Sequence, residues 1–468
     1  MKKNRTNMII NFLNEQPAKI LYCDPNCTES RNIKSESLVI ERENLIIKLQ
    51  SYLWDIIIFD IFEKDDINIF KIYKEKHPRT KLVFFSEKED FNIILSAYQI
   101  NIDLYLPKLG ININYFRCAI ELLQEDYSRI IISKNSQLQQ MYEFLRFYAT
   151  KIRSDILITG ENGTGKGIIA KAISIIGYMN KPFVVQNCAG IPDTLFESEM
   201  FGYEQGAFTG ASIKGKIGVI EKADQGLLFL DEIGELPMNQ QAKLLRAIQR
   251  KVILRVGSSQ EKKVNVRFIF ATNKKLYEEV QQKNFREDFF YRIKGAEIDI
   301  PPLRETKDDI EIMIAVFTAR FIKEQSFRQD FSEIILNKKS LEYLKEYNFP
   351  GNMRELQKIV YQSLISMLIN NSNELTLISP VQIIDNKLEK PDSEVETFWQ
   401  IIELLENNLI KYRGLTDIFK KPILDHLRTK YNDNRKKIAS ILGFQDKQTL
   451  ANEIYRINKK KFPQVNID

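Results

Sequence analysis

A short apolar strand, Asp155-Ile-Leu-Ile-Thr159, runs directly into Gly160, Glu161, Asn162, Gly163, Thr164, Gly165, Lys166 and Gly167, and then into a helix beginning Ile168-Ile-Ala-Lys171. No other segment restricts the possible folds as strongly. Glycine is scarce, 19 residues in 468, yet 13 of them fall between Gly160 and Gly234. Glycine weakens regular structure and is used where the backbone must turn with positive φ or approach a ligand closely. A strand, a glycine loop and a helix in this order aim backbone N–H groups at an anion seated on the helix N-terminus. The loop therefore reads as a phosphate cradle, with Lys166 reaching the β- and γ-phosphates. Gly167 stands where the general pattern has a Ser or Thr hydroxyl for magnesium.

The second half of such a site lies downstream. Leu227-Leu-Phe-Leu230 is an apolar strand ending in Asp231 and Glu232. Two adjacent carboxylates at the end of a buried strand are hard to explain by packing, because buried unpaired charge is costly. The pair suits ATP hydrolysis, with Asp231 in the magnesium shell and Glu232 polarising the attacking water. ATP and Mg2+ are the expected cofactors. A further strand, Val266-Arg-Phe-Ile-Phe-Ala271, ends in Thr272 and Asn273, polar groups suited to sensing a γ-phosphate. Arg286 and Arg292 follow in Phe285-Arg-Glu-Asp-Phe-Phe-Tyr-Arg-Ile293, and spacing alone leaves them open as solvated surface charges.

Between the phosphate motifs, Gly206, Ala207, Phe208, Thr209, Gly210 and Ala211 spell GAFTGA. This resembles the signature of the sigma-54-dependent transcriptional activators, which are AAA+ ATPases. Asn187-Cys-Ala189, Gln241-Ala-Lys-Leu-Leu-Arg246, Pro301-Pro-Leu-Arg-Glu305 and Pro350-Gly-Asn-Met-Arg-Glu-Leu356 are similar to the same family, and the resemblance covers about residues 129–385. It implies an AAA+ P-loop α/β domain with a helical lid and ATP hydrolysis coupled to promoter opening. It also implies sigma-54 factor and RNA polymerase as partners, and a homo-oligomer that is a hexamer when active. By similarity, Asn187 is the switch residue linking Glu232 to nucleotide state. Arg286 and Arg292 match the pair that reaches the neighbouring subunit's nucleotide, and Arg354 the sensor in the lid. The family often has Glu at the position of Gly167, which leaves that magnesium contact to Asp231, water and phosphate. Phe349 stands where Trp is usual. The residues themselves read as a mobile loop tip: an aromatic ring bracketed by glycines is a poor core residue and suits contact with a partner. In the family this loop grips sigma-54.

Residues 1–125 alternate β-like runs (Ile20-Leu-Tyr-Cys23, Asp55-Ile-Ile-Ile-Phe-Asp60, Lys81-Leu-Val-Phe-Phe85, Leu104-Tyr-Leu106) with amphipathic helical stretches. That alternation predicts a parallel sheet with helices on its faces. The region resembles a response-regulator receiver domain. Asp60, Ser86 and Lys108 match its phosphoacceptor, hydroxyl switch and lysine, which implies a sensor kinase as partner. Asp24 ends the first strand, but Pro25-Asn26 follows where a second acid is usual. The domain is accordingly expected to be a degenerate receiver, with Asp60 a weak phosphoacceptor or none.

Residues 126–385 are expected to form the ATPase domain, with its lid from about 305, followed by a polar linker at 386–394 and a helical DNA-binding domain at 395–468. Ile438, Ile441 and Leu442 make one apolar face, Gly443 breaks the chain, and Leu450 with Ile454 begins a second face. This is helix-turn-helix spacing over 434–458, and it looks like the Fis-type all-α domain that ends most members of the family. Lys447, Gln448 and Asn452 are the expected base readers on double-stranded DNA at enhancer-like upstream sites. Residues 430–468 hold nine Lys or Arg against four Asp or Glu, most of the chain's formal charge of +6. No apolar run approaches the roughly 18 residues of a membrane span, and Asn11, Asn14 and Glu15 interrupt the stretch a signal peptide needs, so a cytoplasmic location without membrane contact is expected. Four scattered cysteines and two histidines leave no zinc ribbon and no histidine triad. Two other readings stay open: an AAA+ remodeller of another target, and a DNA-binding regulator without productive ATPase activity.

Overall fold

The computed structural model describes residues 20–23, 31–32, 38–40, 48–49, 53–59, 64–86, 91–107, 113–124, 133–207, 214–325, 334–369, 372–377 and scattered positions between 423 and 454. Asp24, Asp60, Lys108, Phe208, Thr209, Gly210, Ala211, Lys447 and Asn452, the side chain of Ser86 and the linker at 386–394 lie outside the described residues. The chain divides into two units. The first comprises Met1–Lys88, Asn101–Asp309 and Asn348–Arg354; the second comprises Glu89–Ile100, Ile310–Tyr347 and Glu355–Asp468.

The first unit contains two α/β sheets. In the N-terminal one, β1 (Ile20–Cys23), β2 (Arg31–Asn32), β3 (Leu38–Ile40), β4 (Ile56–Phe59), β5 (Lys81–Ser86) and β6 (Leu104–Pro107) lie in the order β2-β3-β1-β4-β5-β6. The last five are mutually parallel, and β2 pairs antiparallel with β3 at one edge. Apart from that added edge strand, the order is the doubly wound one, in which the first strand sits inside the sheet. Strands β1, β4 and β6 are buried along their whole length, which is why they read as unbroken apolar runs. Helix α1 (Lys64–Lys76) connects β4 to β5, and α3 (Ile113–Gln124) follows β6.

Helix α4 (Ser136–Thr150) starts at a true cap, with Asn135 Oδ1 accepting from Gln137 N (2.9 Å) and Leu138 N (3.3 Å). It packs against α3 through a Tyr115–Tyr142 edge contact of 5.2 Å and an Arg146–Glu121 ion pair of 3.1 Å. The second sheet comprises β7 (Ile156–Thr159), β8 (Phe183–Asn187), β11 (Leu227–Asp231), β14 (Arg267–Thr272) and β15 (Ala296–Asp299), all parallel, in the order β15-β7-β14-β11-β8. The neighbours of β7 are both later strands, so its C-terminal end opens onto a crevice at a topological switch point. Helix α5 (Lys166–Gly177) leaves from that end. Between β8 and β11 the short strands β9 (Gly202–Tyr203) and β10 (Lys216–Ile217) pair antiparallel. Helix α6 (Met238–Arg250), hairpin β12 (Val252–Leu254) with β13 (Glu261–Lys263), and helix α7 (Glu287–Ile293) complete the unit.

The second unit is mainly helical, as expected beyond about residue 305. Helix α8 (Ile310–Gln325) packs against α2 (Phe91–Gln99). Helix α9 (Lys338–Glu346) and the short parallel pair β16 (Ile335–Leu336) and β17 (Glu374–Leu375) accompany it. Helix α10 (Asn352–Ile369) begins at the Gly351 turn. In the tail, α11 (Arg435–Ile441) is capped by Asn434, buries Ile438 and Ala439, and leaves Gln448 exposed further on. Among the described residues no helix is long and apolar enough to cross a membrane.

Candidate nucleotide-binding site

The loop after β7 has the backbone that its glycines were expected to permit. Gly160, Gly163 and Gly165 take φ of 148°, 82° and 103°. Gly163 is the most constrained, since a Cβ there would stand 2.2 Å from Gly351 O. Gly165 is the N-cap of α5 in left-handed conformation and supplies no side chain to cap the helix, so the first-turn N–H groups face the loop unshielded. Lys166 Nζ reaches back over the loop, donating to Gly160 O (2.7 Å) and Glu161 O (3.0 Å). Burial pulls the Lys166 ammonium down, while Asp231 and Glu232 nearby oppose that shift and Arg354 reinforces it. Thr164 Oγ1 is turned to Glu161 O (2.9 Å). At Gly167 a Cβ would meet only Phe229 Cε1, at 3.9 Å.

Parallel pairing sets Asp231 beside Asn187 and puts both at C-terminal strand ends. Burial pushes the Asp231 carboxyl up, against the Glu232 backbone N–H and Lys166, which favour its charged form. Glu232 N donates to Asp231 Oδ1 (3.0 Å), and Glu232 itself takes φ 57° and ψ 43°. A non-glycine residue in that region carries strain of about 1–2 kcal/mol, of the kind found at working sites. Asn187 Oδ1 accepts from Gly190 N (3.2 Å), and among the described residues no hydrogen bond joins Asn187 to Glu232. Thr272 is buried with Oγ1 accepting from Lys274 N (3.0 Å), whereas Asn273 is exposed at the strand end. Cys188 beside this cluster is buried, and its thiol is pushed up to about 12, so it is a packing group rather than a nucleophile.

Two residues of the family-like motifs, Arg304 and Asn352, had no role legible in the sequence. Arg304 grips the Glu161 carboxylate with two bonds (2.6 and 2.9 Å), and Asn352 Nδ2 donates to the same carboxylate (3.1 Å) and to Asn162 O (3.0 Å). Asn352 Oδ1 in turn accepts from Leu303 N (2.7 Å). The Arg304 bond holds Glu161 below the usual carboxylate range. The side chain of Glu161 is thus committed to the turn that carries Arg354, and its carbonyl to Lys166. Arg354 is exposed, with its Cβ 3.4 Å from the Cβ position of Gly163.

The two downstream arginines sit at opposite ends of α7. Arg286 is the N-cap residue; its guanidinium pairs with Asp288 (2.9 and 2.7 Å) and its backbone N–H donates to the buried Gln241 (2.8 Å). Arg292, in the last turn, pairs with Asp155 at 3.0 Å.

The described residues on either side of the GAFTGA segment are tightly paired. At Gly202 (φ 82°) a Cβ would lie 2.4 Å from Lys216 O, so the β9–β10 strands close only around glycine. Glu204 N donates to Val256 O (3.0 Å) and Val256 N to Gly202 O (2.9 Å), tying the β9–β10 pair to the β12–β13 hairpin. Arg255 in that hairpin makes bidentate contact with Glu221 (2.8 and 3.0 Å) and reaches Glu204 (3.1 Å). Among the described residues, a Cβ at Gly206 would meet nothing within 4 Å.

Parallel strand order, a glycine loop on a bare helix N-terminus, and paired carboxylates on a neighbouring strand end define a P-loop ATPase of the AAA+ type. Residues 131–299 match the sigma-54 interaction domain and residues 304–388 the AAA+ ATPase lid domain. The regulatory protein LuxO of Vibrio parahaemolyticus is 32% identical over 412 residues, covering 80% of this chain and 88% of that one. UacR of Escherichia coli, described as a sigma-54-dependent transcriptional regulator, is 42% identical over 240 residues, 51% of this chain but 38% of UacR. The chain belongs to the family of sigma-54-dependent transcriptional regulators, and its central domain is a nucleotide-binding ATPase. A crystal structure of NtrX from Brucella abortus shares the fold, with TM-score 0.50 and 21% identity over 94% of this chain and all of that one.

Proposed function

We propose that the protein is a transcriptional activator that binds DNA, hydrolyses ATP and uses the hydrolysis to remodel the closed complex of sigma-54 RNA polymerase. One observation carries this reading. The phosphate loop with its carboxylate pair and the β9–β10 strands that flank the GAFTGA segment belong to one unit, in which β11 pairs directly with β8, the strand that leads toward β9 in the chain.

In this reading the α5 N-terminus and Lys166 bind the β- and γ-phosphates, and Arg354 and Asn273 approach from the rim. A magnesium ion would neutralise phosphate charge between the nucleotide and Asp231, whose partly buried carboxylate beside Lys166 fits that duty. Glu232, held in a strained backbone, takes the proton side of the attacking water. Asn187, adjacent through Asp231, reports the state of Glu232 to β8. Arg286 and Arg292, at the two ends of α7, complete the site of a neighbouring subunit, so the active form is a ring, a hexamer by family likeness. The tail, with Lys447, Gln448 and Asn452, binds duplex DNA at upstream sites. The N-terminal domain is a regulatory receiver-like module for which a sensor kinase is the matching partner, with Asp60 a weak phosphoacceptor at most.

Phe208 and Thr209 test the coupling. Neither has chemistry to offer hydrolysis, and loss of an aromatic anchor from an interface commonly costs about 2 kcal/mol or more. Phe208→Ala and Thr209→Ala are expected to hydrolyse ATP near the parent rate while failing to open sigma-54 promoters, measured with the same preparations. Full activation by both variants would remove the loop as the coupling element.

A further inference from the structure

Two residues of the turn that carries Arg354 hold left-handed backbone, Phe349 at φ 47° and Asn352 at φ 51°. For a bulky ring such as Phe349 this is an outlier, and strain of that kind persists only where the surroundings over-determine it. Both residues are wholly buried, and Asn352 N closes the turn by donating to Phe349 O (2.8 Å). The turn, within residues 348–354, belongs to the same unit as the phosphate loop.

The side chain of Asn352 shows what holds the turn. Nδ2 donates to Glu161 Oε2 (3.1 Å) and to Asn162 O (3.0 Å), while Oδ1 accepts from Leu303 N (2.7 Å). These partners fix which way the amide faces, since only its oxygen can accept from a backbone N–H and only its NH2 can donate to a carbonyl and a carboxylate. Two consecutive residues of the phosphate loop are thereby tied to one side chain. Arg304 grips Glu161 through two bonds (2.6 and 2.9 Å), which leaves that carboxylate a single orientation. Glycine is the residue that takes left-handed backbone without strain, and asparagine is among the few others that tolerate it. At position 352 glycine would serve the turn alone; asparagine serves the turn and the clamp together.

Arg354 lies two residues on. Its Cβ stands 3.4 Å from where a Gly163 Cβ would be, and its charge is felt by both Lys166 and Asp231. It is therefore on the side of the site assigned to the outer phosphates and magnesium. The residue is exposed. A long exposed cation takes its aim from where its backbone is held, and that backbone is held by Asn352.

We propose that Asn352 is a positioning residue: it clamps the strained turn to Glu161 and Asn162 of the phosphate loop and so sets the point from which Arg354 reaches the outer phosphates of ATP. The inference rests on the reading of Arg354 as a nucleotide-facing cation. Turn and loop then form one piece, and the cation shares a frame with the phosphates it meets. Asn352 acts through Arg354 and not on the nucleotide.

The test is a double-mutant cycle in the full-length chain with Asn352→Gly, Arg354→Ala and the two combined, read by kcat/KM for ATP and by affinity for ADP, with melting recorded to confirm folding at the assay temperature. Asn352→Gly suits the left-handed backbone and removes only the clamp. Its kcat/KM is expected to fall by about tenfold or more, since a misplacement near 1 Å costs up to about a hundredfold. Its ADP affinity is expected to stay within about threefold of the parent, because the loop keeps its own backbone and Lys166. In the Arg354→Ala background the same glycine change is expected to alter kcat/KM by less than about twofold, since nothing is left to position. Losses that multiply in the double variant would overturn the proposal, because Asn352 would then act through the loop or the fold at large. So would a tenfold loss of ADP affinity in Asn352→Gly, or parent-like kcat/KM in that variant.

Failure of the underlying reading has a different signature. Arg354→Ala with parent kcat/KM would remove Arg354 from the site and the inference with it, whereas a slow Arg354→Ala beside a parent-like Asn352→Gly sinks the inference alone. Should the glycine variant not fold, Asn352→Asp keeps the size and the bond to Leu303 N but sets a second carboxylate against Glu161. The same cycle run with it is expected to show the same non-additivity. A folded Asn352→Asp variant as fast as the parent would contradict the clamp.

Discussion

At the scale of single residues, the phosphate loop shows how few positions are free. Gly163 cannot accept a side chain because Gly351 O stands 2.2 Å from where its Cβ would be. Gly167 is different: it lies in the first turn of α5 without positive φ, and open space surrounds its Cβ position apart from Phe229 at 3.9 Å. Glycine within a helix is less stable than alanine by roughly 0.5–1 kcal/mol. Gly167→Ala is therefore expected to raise the thermal midpoint by a few degrees, about 1–4 °C for a domain of this size. It is also expected to leave nucleotide affinity nearly unchanged. A lower midpoint would mean that the first turn of α5 is not the helix described here. Glu232 carries the opposite lesson. Its left-handed backbone is strained, and the strain is held in place by the buried strand before it and the short helical turn after it.

At the scale of elements, the first unit carries a buried titratable group just before α8 begins. Asp309, immediately before α8, has no exposed surface; its carboxylate accepts from Ser133 Oγ (2.5 Å) and Lys134 N (2.8 Å). Burial outweighs those bonds and pushes the carboxyl from 3.8 up to about 6. A group whose folded pKa is raised binds protons more readily in the folded state. Its contribution to stability is full below the unfolded pKa and is lost as pH rises through the folded one. Between about pH 4 and pH 7 the parent should thus lose on the order of 2–3 kcal/mol that an Asp309→Asn variant does not lose. Denaturant midpoints of both proteins across that range check this; parallel curves would show that Asp309 titrates normally.

Contiguous elements could be read in advance, and contacts between distant residues could not. Strand, glycine loop and helix are contiguous, so local pattern sufficed for β7, the loop and α5, and likewise for β11 with its terminal carboxylates. The Glu161–Arg304 pair joins residues 143 apart in sequence, and Asn352 lies 191 from Glu161. Nothing local indicates such partners. The motif stretches containing Arg304 and Asn352 could be noticed, but not what they hold. The Asp155–Arg292 pair was equally illegible, because Asp155 reads as the polar start of an apolar strand. The antiparallel β2 was missed for a plainer reason: two residues cannot show an alternation.

At the scale of the whole molecule, DNA recognition is proposed for a different segment from ATP hydrolysis. The basic excess at residues 430–468 is far in sequence from the ATP site. Nonspecific DNA binding should weaken steeply with salt as lysines and arginines displace counterions from phosphates, the affinity falling by about 10³-fold or more between 50 and 200 mM salt if six or more contacts form. Removing residues 395–468 is expected to abolish site-specific footprints while leaving ATP hydrolysis measurable. A truncated chain that still protects a unique site would place DNA recognition elsewhere.

The central claim is that hydrolysis at the Lys166–Asp231–Glu232 site is what opens promoters. It is tested most directly by measuring ATP binding, ATP turnover and open-complex formation by sigma-54 RNA polymerase on one template, with the parent chain and Glu232→Gln side by side. The parent should open the promoter with ATP and fail with a non-hydrolysable analogue. Glu232→Gln should bind ATP with near-parent affinity, lose turnover by about a hundredfold or more, and form no open complexes, as expected when the group that activates the water is neutralised. Turnover by Glu232→Gln at the parent rate, or open complexes formed without hydrolysis, would contradict it.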